Sequence, residues 1–383
     1  MASVEIRPVR NRRDLKRFVR VPFHLHRDHP QWVPPLILDR MQFLDRGKNP
    51  YFEHAEAEYF IAERDGEPVG RITAQIDRRW DEYQGGEDGM FGFFETIDDR
   101  EVAAALLGAA EDWLRARGRT RVLGPMDFTT NDELGLLVDG YELRPMILQN
   151  WHPPYYRELI EGLGYGKEID LLMWFLGLGE LKEGDQFDAS IHAAAENALR
   201  SEGVEIRRIV KRNLHEEMRR FTEVYNEAWA DNWGFVPPTE AEIEFHAKLL
   251  KQVIDEDWAF VAEKEGETVG VALTLPDINQ VLAKMGGRLL PVGWLKFLLG
   301  RSKIDRVRVF ALGVKHAYRH SGVAAGLYLK HLEAATPEGI PAGETGWILE
   351  TNEAMNRAME GMGGEVVKRY RIYERALSVE SMA

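Results

Sequence analysis

Residues 307–327 read Val-Arg-Val-Phe-Ala-Leu-Gly-Val-Lys-His-Ala-Tyr-Arg-His-Ser-Gly-Val-Ala-Ala-Gly-Leu. The first eight residues form an apolar run typical of a β-strand, and a short polar turn separates it from the apolar periodicity of a helix that begins near Gly322. Backbone N–H groups at a helix N-terminus lack partners within the helix, and the helix dipole favours negative charge there. Because Arg319 adds a cation beside the turn, the stretch predicts a binding site for an anion such as a pyrophosphate.

The same stretch resembles the acyl-CoA pyrophosphate loop of the GNAT superfamily of N-acetyltransferases, whose pattern is Arg/Gln-x-x-Gly-x-Gly/Ala. The matching residues are Arg319, His320, Ser321, Gly322, Val323 and Ala324. The resemblance implies that they bind the pyrophosphate of acetyl-CoA or another acyl-CoA as co-substrate. It also implies that a backbone N–H between Leu312 and Val314 polarises the thioester carbonyl. His316 and His320 depart from the pattern, since they stand where proline and glycine are common.

The composition limits the classes of function. A length of 383 residues predicts two domains, and a net charge of −14 argues against non-specific binding of nucleic acid or an anionic membrane, so we expect neither as a partner. The absence of cysteine excludes thiol nucleophiles, acyl-cysteine intermediates, disulfides and cysteine–zinc sites. The 11 histidines are dispersed without ligand spacing, so no metal is predicted. The N-terminus lacks an apolar signal core, which favours a cytoplasmic protein.

Two segments of the chain recur at the same offset of 200 residues. Val4-Glu5-Ile6-Arg7 recurs as Val204-Glu205-Ile206-Arg207, and residues 60–70 (Phe-Ile-Ala-Glu-Arg-Asp-Gly-Glu-Pro-Val-Gly) recur with substitutions as residues 260–270. A repeat this long indicates two domains of one fold rather than a solenoid. We predict domains at 1–180 and 191–383, joined by the polar segment Gly179–Ser190.

Each copy has the same order of predicted elements: a short strand, two helical segments, a hairpin, a further strand, a long helix and another strand. Asp65-Gly66 and Glu265-Gly266 predict the hairpin turns, and Thr239 with Glu242 predicts a capping box. This order predicts an α/β fold in which each domain is a twisted mixed sheet flanked by helices. Together with the resemblance, it implies two tandem acyl-CoA N-acyltransferase (GNAT-like) domains.

The end of the second copy extends the resemblance, and the first copy departs from it. Asn352 falls eleven residues before Gly363, as an asparagine of the family precedes its glycine, which implies a place for Asn352 in cofactor binding. In the first copy, residues 96–101 replace the pyrophosphate loop and include three carboxylates, which would repel an anion. We therefore interpret the first copy as a degenerate GNAT-like domain that shapes the substrate side.

Acyl transfer to an amine needs a base for the amine and a proton for the departing thiolate. Glu350, at the end of an apolar strand, is the candidate base, although it could equally pair with an arginine. Where the family often carries an acidic tyrosine, this chain has Met359. Tyr373 is the candidate substitute and Tyr370 the next choice, unless these tyrosines only pack or the thiolate leaves without an acid.

Two further segments compete for a role with the substrate. In the loop Phe128–Gly135, the side chains of Asn131, Asp132 and Glu133 could bind a cationic amine, or the loop could simply cap a turn. The apolar insertion at residues 278–299 could line an acyl pocket, bury against the first copy, or pack against a second subunit in a homodimer.

These observations favour an N-acyltransferase that moves an acetyl or other acyl group from acyl-CoA to a small-molecule or peptide amine by direct attack. One alternative is a non-catalytic acyl-CoA-binding regulatory protein, which the loss of the tyrosine at Met359 would favour. Another is a Fem-type aminoacyl transferase, which pairs two such lobes but takes aminoacyl-tRNA, a partner that the negative net charge disfavours.

Overall fold

The computed structural model describes residues 3–177, 186–338 and 340–377. In the first half of the chain the elements are β1 (Glu5–Pro8), α1 (Arg12–Leu25), α2 (Ile37–Phe43), β2 (Ala55–Arg64), β3 (Glu67–Asp77), α3 (Arg78–Gln84), β4 (Asp88–Thr96), α4 (Arg100–Arg115), β5 (Arg121–Gly124), β6 (Leu136–Asp139), α5 (Tyr155–Gly162) and β7 (Gly166–Gly177). In the second half they are α6 (Gln186–Glu196), β8 (Glu205–Arg208), α7 (Leu214–Ala228), α8 (Glu240–Leu250), β9 (Ala259–Lys264), β10 (Glu267–Pro276), α9 (Asn279–Leu282), α10 (Gly293–Arg301), β11 (Arg306–Val314), α11 (Val323–Glu338), β12 (Ala342–Leu349), α12 (Glu353–Gly361) and β13 (Glu365–Ala376).

The predicted α/β fold is confirmed, and the local signals of the two copies produce the same structures. Each hairpin turns through an acidic residue and a glycine that both have positive φ, 54° and 81° at Asp65-Gly66 and 53° and 85° at Glu265-Gly266. Two successive left-handed residues match the right-handed twist of the flanking strands. The capping box of α8 is also present, because the side chains of Thr239 and Glu242 each accept a hydrogen bond from the other residue's backbone N–H.

The chain forms two compact units. Unit 1 comprises Met1–Leu171, Val281–Leu298 and Lys368–Ala383. Its strands follow the order β1-β2-β3-β4-β5-β13, in which residues 373–376 of β13 pair with β5, while residues 369–371 pair with β6. The core lies between this sheet and helices α4 and α5, where Phe91, Leu106 and Tyr156 are fully buried.

Unit 2 comprises Leu172–Gln280 and Leu299–Val367. Its strands β12, β11, β10, β9 and β8 are neighbours in that order, with β11 and β12 parallel and the other pairs antiparallel. Helix α11 packs on one side of this sheet, where Val323 and Leu327 are fully buried.

The compact units are not contiguous in sequence, unlike the predicted domains 1–180 and 191–383. From Lys368 onward the C-terminal strand belongs to unit 1, because it forms antiparallel pairs with β5 and β6. The insertion belongs to unit 1 because Gly287 contacts Phe23 and its carbonyl accepts a hydrogen bond from Ile37. Of the predicted linker, residues 179–185 lie outside the described residues, and residues 186–190 are the start of α6.

In each unit two parallel strands are hydrogen-bonded to each other over only part of their length. Strand β4 pairs with β5 through residues 88–90 but continues to Thr96, and β11 pairs with β12 through residues 306–309 but continues to Val314. The ends of β4 and β11 stay paired with β3 and β10 and lead directly to the segments before α4 and α11. The polar side chains and backbone groups considered below lie around these two strand ends.

No helix in the described part of the chain is both long enough and apolar enough to cross a lipid bilayer.

Candidate functional site

The predicted pyrophosphate loop connects β11 to α11 in unit 2. Gly322 has φ +86°, and a Cβ at this position would lie 2.0 Å from the carbonyl oxygen of Ala194 in α6, so the position requires glycine. The Ser321 hydroxyl donates a hydrogen bond to the carbonyl of Tyr318 at 2.7 Å, which tightens the turn. Arg319 and His320 are exposed. The loop therefore offers solvent-accessible cationic and polar groups at the start of α11.

Protein carboxylates already engage the residues just before this loop. The backbone N–H of His316 donates to Glu227 at 2.8 Å, and the Lys315 ammonium contacts Glu223 at 2.6 Å and Glu267 at 2.8 Å. Burial alone would lower the pKa of Lys315, but the two carboxylates more than offset it, so the pKa is raised. An incoming pyrophosphate would meet these carboxylates, which leaves Arg319 as the exposed loop cation placed to attract it.

Aromatic side chains pack against β11, the strand that precedes the loop. Leu312 and Val314 pair with Ala272 and Gly270 of β10. Between them, a Cβ on Gly313 would lie 2.1 Å from the indole ring of Trp229, so glycine permits this close approach. Trp229 in turn packs against Tyr225, with 4.6 Å between ring centroids. The backbone of β11 at the position proposed for thioester polarisation therefore lies against the packed rings of Trp229 and Tyr225.

Glu350 and Asn352 lie together in the turn between β12 and α12. Glu350 is half-buried, and its carbonyl accepts a hydrogen bond from Asn356 at 3.3 Å. The side-chain oxygen of Asn352 caps α12 by accepting from the Met355 N–H at 3.1 Å. Met359 is fully buried in an apolar cluster, so the position that carries an acid in the family is part of the core here.

The candidate acid Tyr373 belongs to unit 1, whereas the loop and Glu350 belong to unit 2. Tyr373 is fully buried on β13, and its hydroxyl donates to Glu161 at 3.0 Å. Burial, together with that carboxylate, raises its pKa, so the phenol keeps its proton. Tyr370 on the same strand donates to the carbonyl of Asn150 at 2.9 Å. The structure thus gives both hydroxyls an acceptor within the fold.

Unit 1 contains a buried polar cluster at the end of β4 that the sequence analysis missed. The carboxylate of Glu95 contacts His26 Nε2 at 2.6 Å, the Tyr156 hydroxyl at 2.8 Å and the Arg71 guanidinium at 3.5 Å. All four side chains are buried. His152 is buried in the same region, where its Nδ1 accepts the Leu137 N–H at 3.1 Å.

The electrostatics of this cluster fix the hydrogen on His26. Burial opposes ionisation of Glu95, but His26 and then Arg71 outweigh it and lower the pKa of the carboxyl to about 2. An ionised carboxylate only accepts hydrogen bonds, so His26 Nε2 must carry the hydrogen. Among the described residues, the buried His26 Nδ1 has no hydrogen-bond partner. In the imidazolium, the form whose charge lowers the pKa of Glu95, Nδ1 carries a second hydrogen. In the neutral imidazole Nδ1 presents a lone pair, which is the arrangement of a histidine base oriented by a carboxylate.

A second buried group lies where the backbone is strained. Phe93 in β4 and Phe128 after β5 are buried non-glycine residues with φ +48° and +84°. Such conformations persist only where the surroundings enforce them. The Asp127 carboxylate accepts the Phe93 N–H at 2.7 Å. Burial and then the charge of Glu133 raise the pKa of Asp127 to about 7.

The loop Phe128–Gly135 shows the capping arrangement that the sequence analysis considered. The Thr129 hydroxyl donates to Asp132 at 2.7 Å, and the Asn131 N–H donates to the Thr129 hydroxyl at 3.1 Å. Glu133 is held by both terminal nitrogens of Arg40 at 2.6 and 2.7 Å. These contacts use the loop's polar groups within the fold, so they do not favour its binding a cationic amine.

A sequence signal for the missed cluster exists but is weak. The pair His26 and Glu95 is separated by 69 residues, so no local spacing announces it. The spacing of the histidines in the sequence bears only on metal ligation, and it does not reveal a histidine paired with a distant carboxylate. Glu95 follows directly on the apolar run Met90–Phe94, which indicates a buried carboxylate, and such a residue is buried only when it is paired.

In unit 2, an exposed group of His215, Glu240 and Glu244 has ligand atoms within 4.8 Å of one another.

Comparison with known proteins places this geometry in a family. Residues 23–131 match the model of the Acetyltransferase (GNAT) family, and this range contains both His26 and Glu95. A tandem GNAT protein from the clavulanic acid biosynthesis pathway superposes with a TM-score of 0.58 at 12% identity and covers 99% of this chain and 100% of its own. A GCN5-related N-acetyltransferase from Sphaerobacter thermophilus gives a TM-score of 0.54 at 14% identity, covering 98% and 96%.

Two curated relatives are similar over nearly their full lengths. The bacterial ceramide synthase of Caulobacter vibrioides is 39% identical over 98% of both chains, and protein YghO of Escherichia coli K12 is 38% identical over 97% of this chain and 95% of its own. The family match falls on the first copy, which the sequence analysis likened to the family only in outline, while the pyrophosphate-loop pattern lies in the second. From the matched residues, the tandem fold and these relatives, we conclude that the chain belongs to the GNAT family of acyltransferases.

Proposed function

We propose that this protein is an N-acyltransferase that moves an acyl group from acyl-CoA to the amine of a long-chain amino alcohol. The observation that carries the proposal is the 39% identity to a bacterial ceramide synthase over 98% of both chains. A ceramide is the amide of a fatty acid and a long-chain amino alcohol, so its synthesis joins an acyl group to an amine. Acetyl-CoA and other amines remain the alternatives on the donor and acceptor sides.

In the proposed reaction the neutral amine attacks the thioester carbonyl directly. A C–N bond forms, the C–S bond breaks, the attacking nitrogen gives up a proton to the base, and the thiolate of CoA takes up a proton. The absence of cysteine supports direct attack, because no thiol is available to carry the acyl group. We propose that residues Arg319–Ala324 bind the pyrophosphate, that a backbone N–H at Leu312–Val314 polarises the carbonyl, and that Asn352 contributes to the cofactor site.

Two groups are candidates for the base, one in each unit. Glu350 is supported by its half-buried position directly after β12, in the same unit as the proposed cofactor loop. His26 is supported by its unpartnered Nδ1 and by the carboxylate of Glu95, which holds the opposite ring nitrogen. Tyr373 is proposed as the acid, although its hydroxyl donates to Glu161 in the fold.

The test measures CoA release from acetyl-CoA and palmitoyl-CoA with a panel of amines that includes sphinganine. A thiol reagent can follow release continuously without a protein background, since the chain has no cysteine. Mass spectrometry of the amide identifies the product. We expect turnover with a long-chain amino alcohol.

Matched substitutions separate the candidate bases. Loss of a general base lowers the rate by about 10²–10⁴-fold. His26→Gln is compared with His24→Gln, an exposed neighbour, and Glu350→Gln with Glu353→Gln, the exposed first residue of α12. Acyl-CoA binding without turnover on any amine would support the regulatory alternative, and transfer from aminoacyl-tRNA would support the Fem-type alternative.

A further inference from the structure

The inserted segment Val281–Leu298 has a fixed position in unit 1. Gly287 has φ +70°, and a Cβ there would lie 2.4 Å from the ring of Phe23 and 2.8 Å from the carbonyl oxygen of Pro35. The Gly287 carbonyl accepts the Ile37 N–H at 3.0 Å. One side of the segment therefore packs against the residues of α1 and the start of α2, which holds the other side in a defined position.

The other side of this segment is an exposed apolar surface. Twelve large hydrophobic side chains are exposed among the described residues, and six of them lie within ten consecutive positions of unit 1. These six are Leu289 (42%), Leu290 (72%), Val292 (55%), Trp294 (46%), Leu295 (44%) and Leu298 (60%). Single exposed hydrophobic residues are ordinary, whereas a concentration of this kind marks an interaction site. We call residues Leu289–Leu298 the apolar face.

Within the inserted segment and the residues that follow it, the charged side chains all have one sign. Residues 278–304 contain five cations and no carboxylate, although the whole chain carries a net charge of −14. Three of these cations, Lys284, Arg288 and Lys296, flank or lie within the apolar face and are exposed. The Lys296 ammonium donates to the Lys284 carbonyl at 2.8 Å, which holds these two positions together. The surface is therefore apolar with a basic rim.

We propose that the apolar face docks on an anionic lipid bilayer at the level of the headgroups. Helix α10 has nine residues, about 13 Å at 1.5 Å per residue, which is too short to span a bilayer but suits an interfacial position. Tryptophan and leucine enter the boundary between headgroups and acyl chains, while lysine and arginine contact anionic headgroups. The Trp294 indole N–H donates to the Pro291 carbonyl at 2.9 Å, so the ring enters this layer without an unsatisfied donor.

A second copy of the chain fits this surface less well. A two-fold symmetric contact through the apolar face would bring its cations against the same cations of the partner, and like charges repel. An anionic bilayer instead neutralises them. The expectation of no membrane partner rested on net charge, which averages over the whole chain and does not detect a local basic rim. The proposal stands on this surface alone and is independent of the acyl-transfer activity.

The test is sedimentation of the full chain with vesicles of phosphatidylcholine and phosphatidylglycerol at a ratio of 7:3, compared with phosphatidylcholine alone. The apolar variant carries Leu290→Ser, Val292→Ser and Leu298→Ser, and the charge variant carries Lys284→Gln, Arg288→Gln and Lys296→Gln. The matched control carries Leu199→Ser and Val366→Ser, which are exposed hydrophobic residues of unit 2. Circular dichroism confirms that each variant is folded.

We expect the wild-type chain and the control to bind the anionic vesicles at least about tenfold more tightly than neutral ones, since each basic residue near the surface contributes to binding. Both triple variants should lose at least about tenfold in affinity, and high salt should weaken wild-type binding. Absence of wild-type binding, or equal binding by the apolar variant, would overturn the proposal. So would sedimentation velocity that shows a dimer dissociating in the apolar variant, because the apolar face would then be an interface between copies.

Discussion

Replacement of Glu95 by glutamine tests the buried cluster of unit 1 directly. The substitution keeps the size of the side chain and an oxygen that can accept hydrogen bonds, but removes the negative charge. In the folded protein that charge faces His26 Nε2 at 2.6 Å and the guanidinium of Arg71 at 3.5 Å. Both partners are buried, so the substitution leaves the Arg71 cation with less compensation in a site from which water is excluded.

The structure gives the size of the effect. The pKa of Glu95 falls from its ordinary 4.5 to about 2, a difference of about 2.5 units. At about 1.36 kcal/mol per unit, neutralising the carboxylate costs about 3 kcal/mol of folding free energy. This lies at the lower edge of the roughly 3–5 kcal/mol expected when one partner of a buried ion pair is removed. It is a large share of the roughly 5–15 kcal/mol that stabilises a typical domain.

The pH dependence has a definite sign. The pKa of Glu95 is lower in the folded chain than in the unfolded one, so the stabilisation is complete above about pH 4.5 and is lost as the pH falls toward 2. The difference in unfolding free energy between the wild type and Glu95→Gln should therefore be constant near neutral pH. It should shrink below about pH 4.5.

Urea denaturation followed by circular dichroism measures this difference. Glu101→Gln is the matched control, because Glu101 is 58% exposed and pairs with Arg64 at 3.2 Å, an exposed ion pair expected to contribute less than about 1 kcal/mol. The reasoning fails if Glu95→Gln and Glu101→Gln unfold at the same urea concentration at pH 7. It also fails if the loss caused by Glu95→Gln persists unchanged at pH 3.

Three further predictions concern other parts of the fold. The pKa of Asp127 is raised to about 7, so between pH 4 and 7 the unfolded chain loses this proton while the folded chain keeps it, and the free energy of unfolding falls as the pH rises. The melting temperature of Asp127→Asn should therefore drop less between pH 5 and 8 than that of the wild type. Equal drops would contradict this prediction. Gly287→Ala should lower the free energy of unfolding by more than about 2 kcal/mol, because residue 287 has a positive φ and the new Cβ would overlap an aromatic ring. Gly286 has φ +59° but faces open space, so Gly286→Ala should lower it by only about 1 kcal/mol in the same urea denaturation experiment. Thr239→Ala should cost about 1 kcal/mol through loss of the capping box, while Thr239→Ser should retain most of the stability, and equal losses in the two variants would argue against the cap.

The features that the sequence predicted are those set by neighbouring residues. An acidic residue followed by glycine between β-branched runs determines a hairpin turn, and this held at both positions, 200 residues apart. Thr239 and Glu242 determine a capping box because each side chain only has to reach the other's backbone. The tandem fold followed from these local elements recurring in the same order.

The features that the sequence did not predict depend on distant parts of the chain. Strand β13 belongs to unit 1 because it pairs with β5 and β6, and no pattern within residues 365–376 specifies those partners. The contact between His26 and Glu95 joins α1 to β4 and forms only when the sheet has assembled. Similarly, the repeat suggested contiguous domains because it records the order of elements, not the surface against which an insertion packs.

The position of β13 affects how the protein is made. Strand β6 ends at Asp139, but its antiparallel partner in β13 begins pairing only at Arg369. At roughly 5–20 residues per second, a ribosome needs on the order of 10–50 seconds to synthesise the 230 residues between them. During that interval the nascent first half carries unpaired strand edges, which are prone to aggregation. A chain that terminates before Lys368 would lack the strand that pairs with β5 and β6, so unit 1 would stay incomplete. We therefore expect quality control in the cell to recognise such products by the exposed strand edges of the half that was synthesised first.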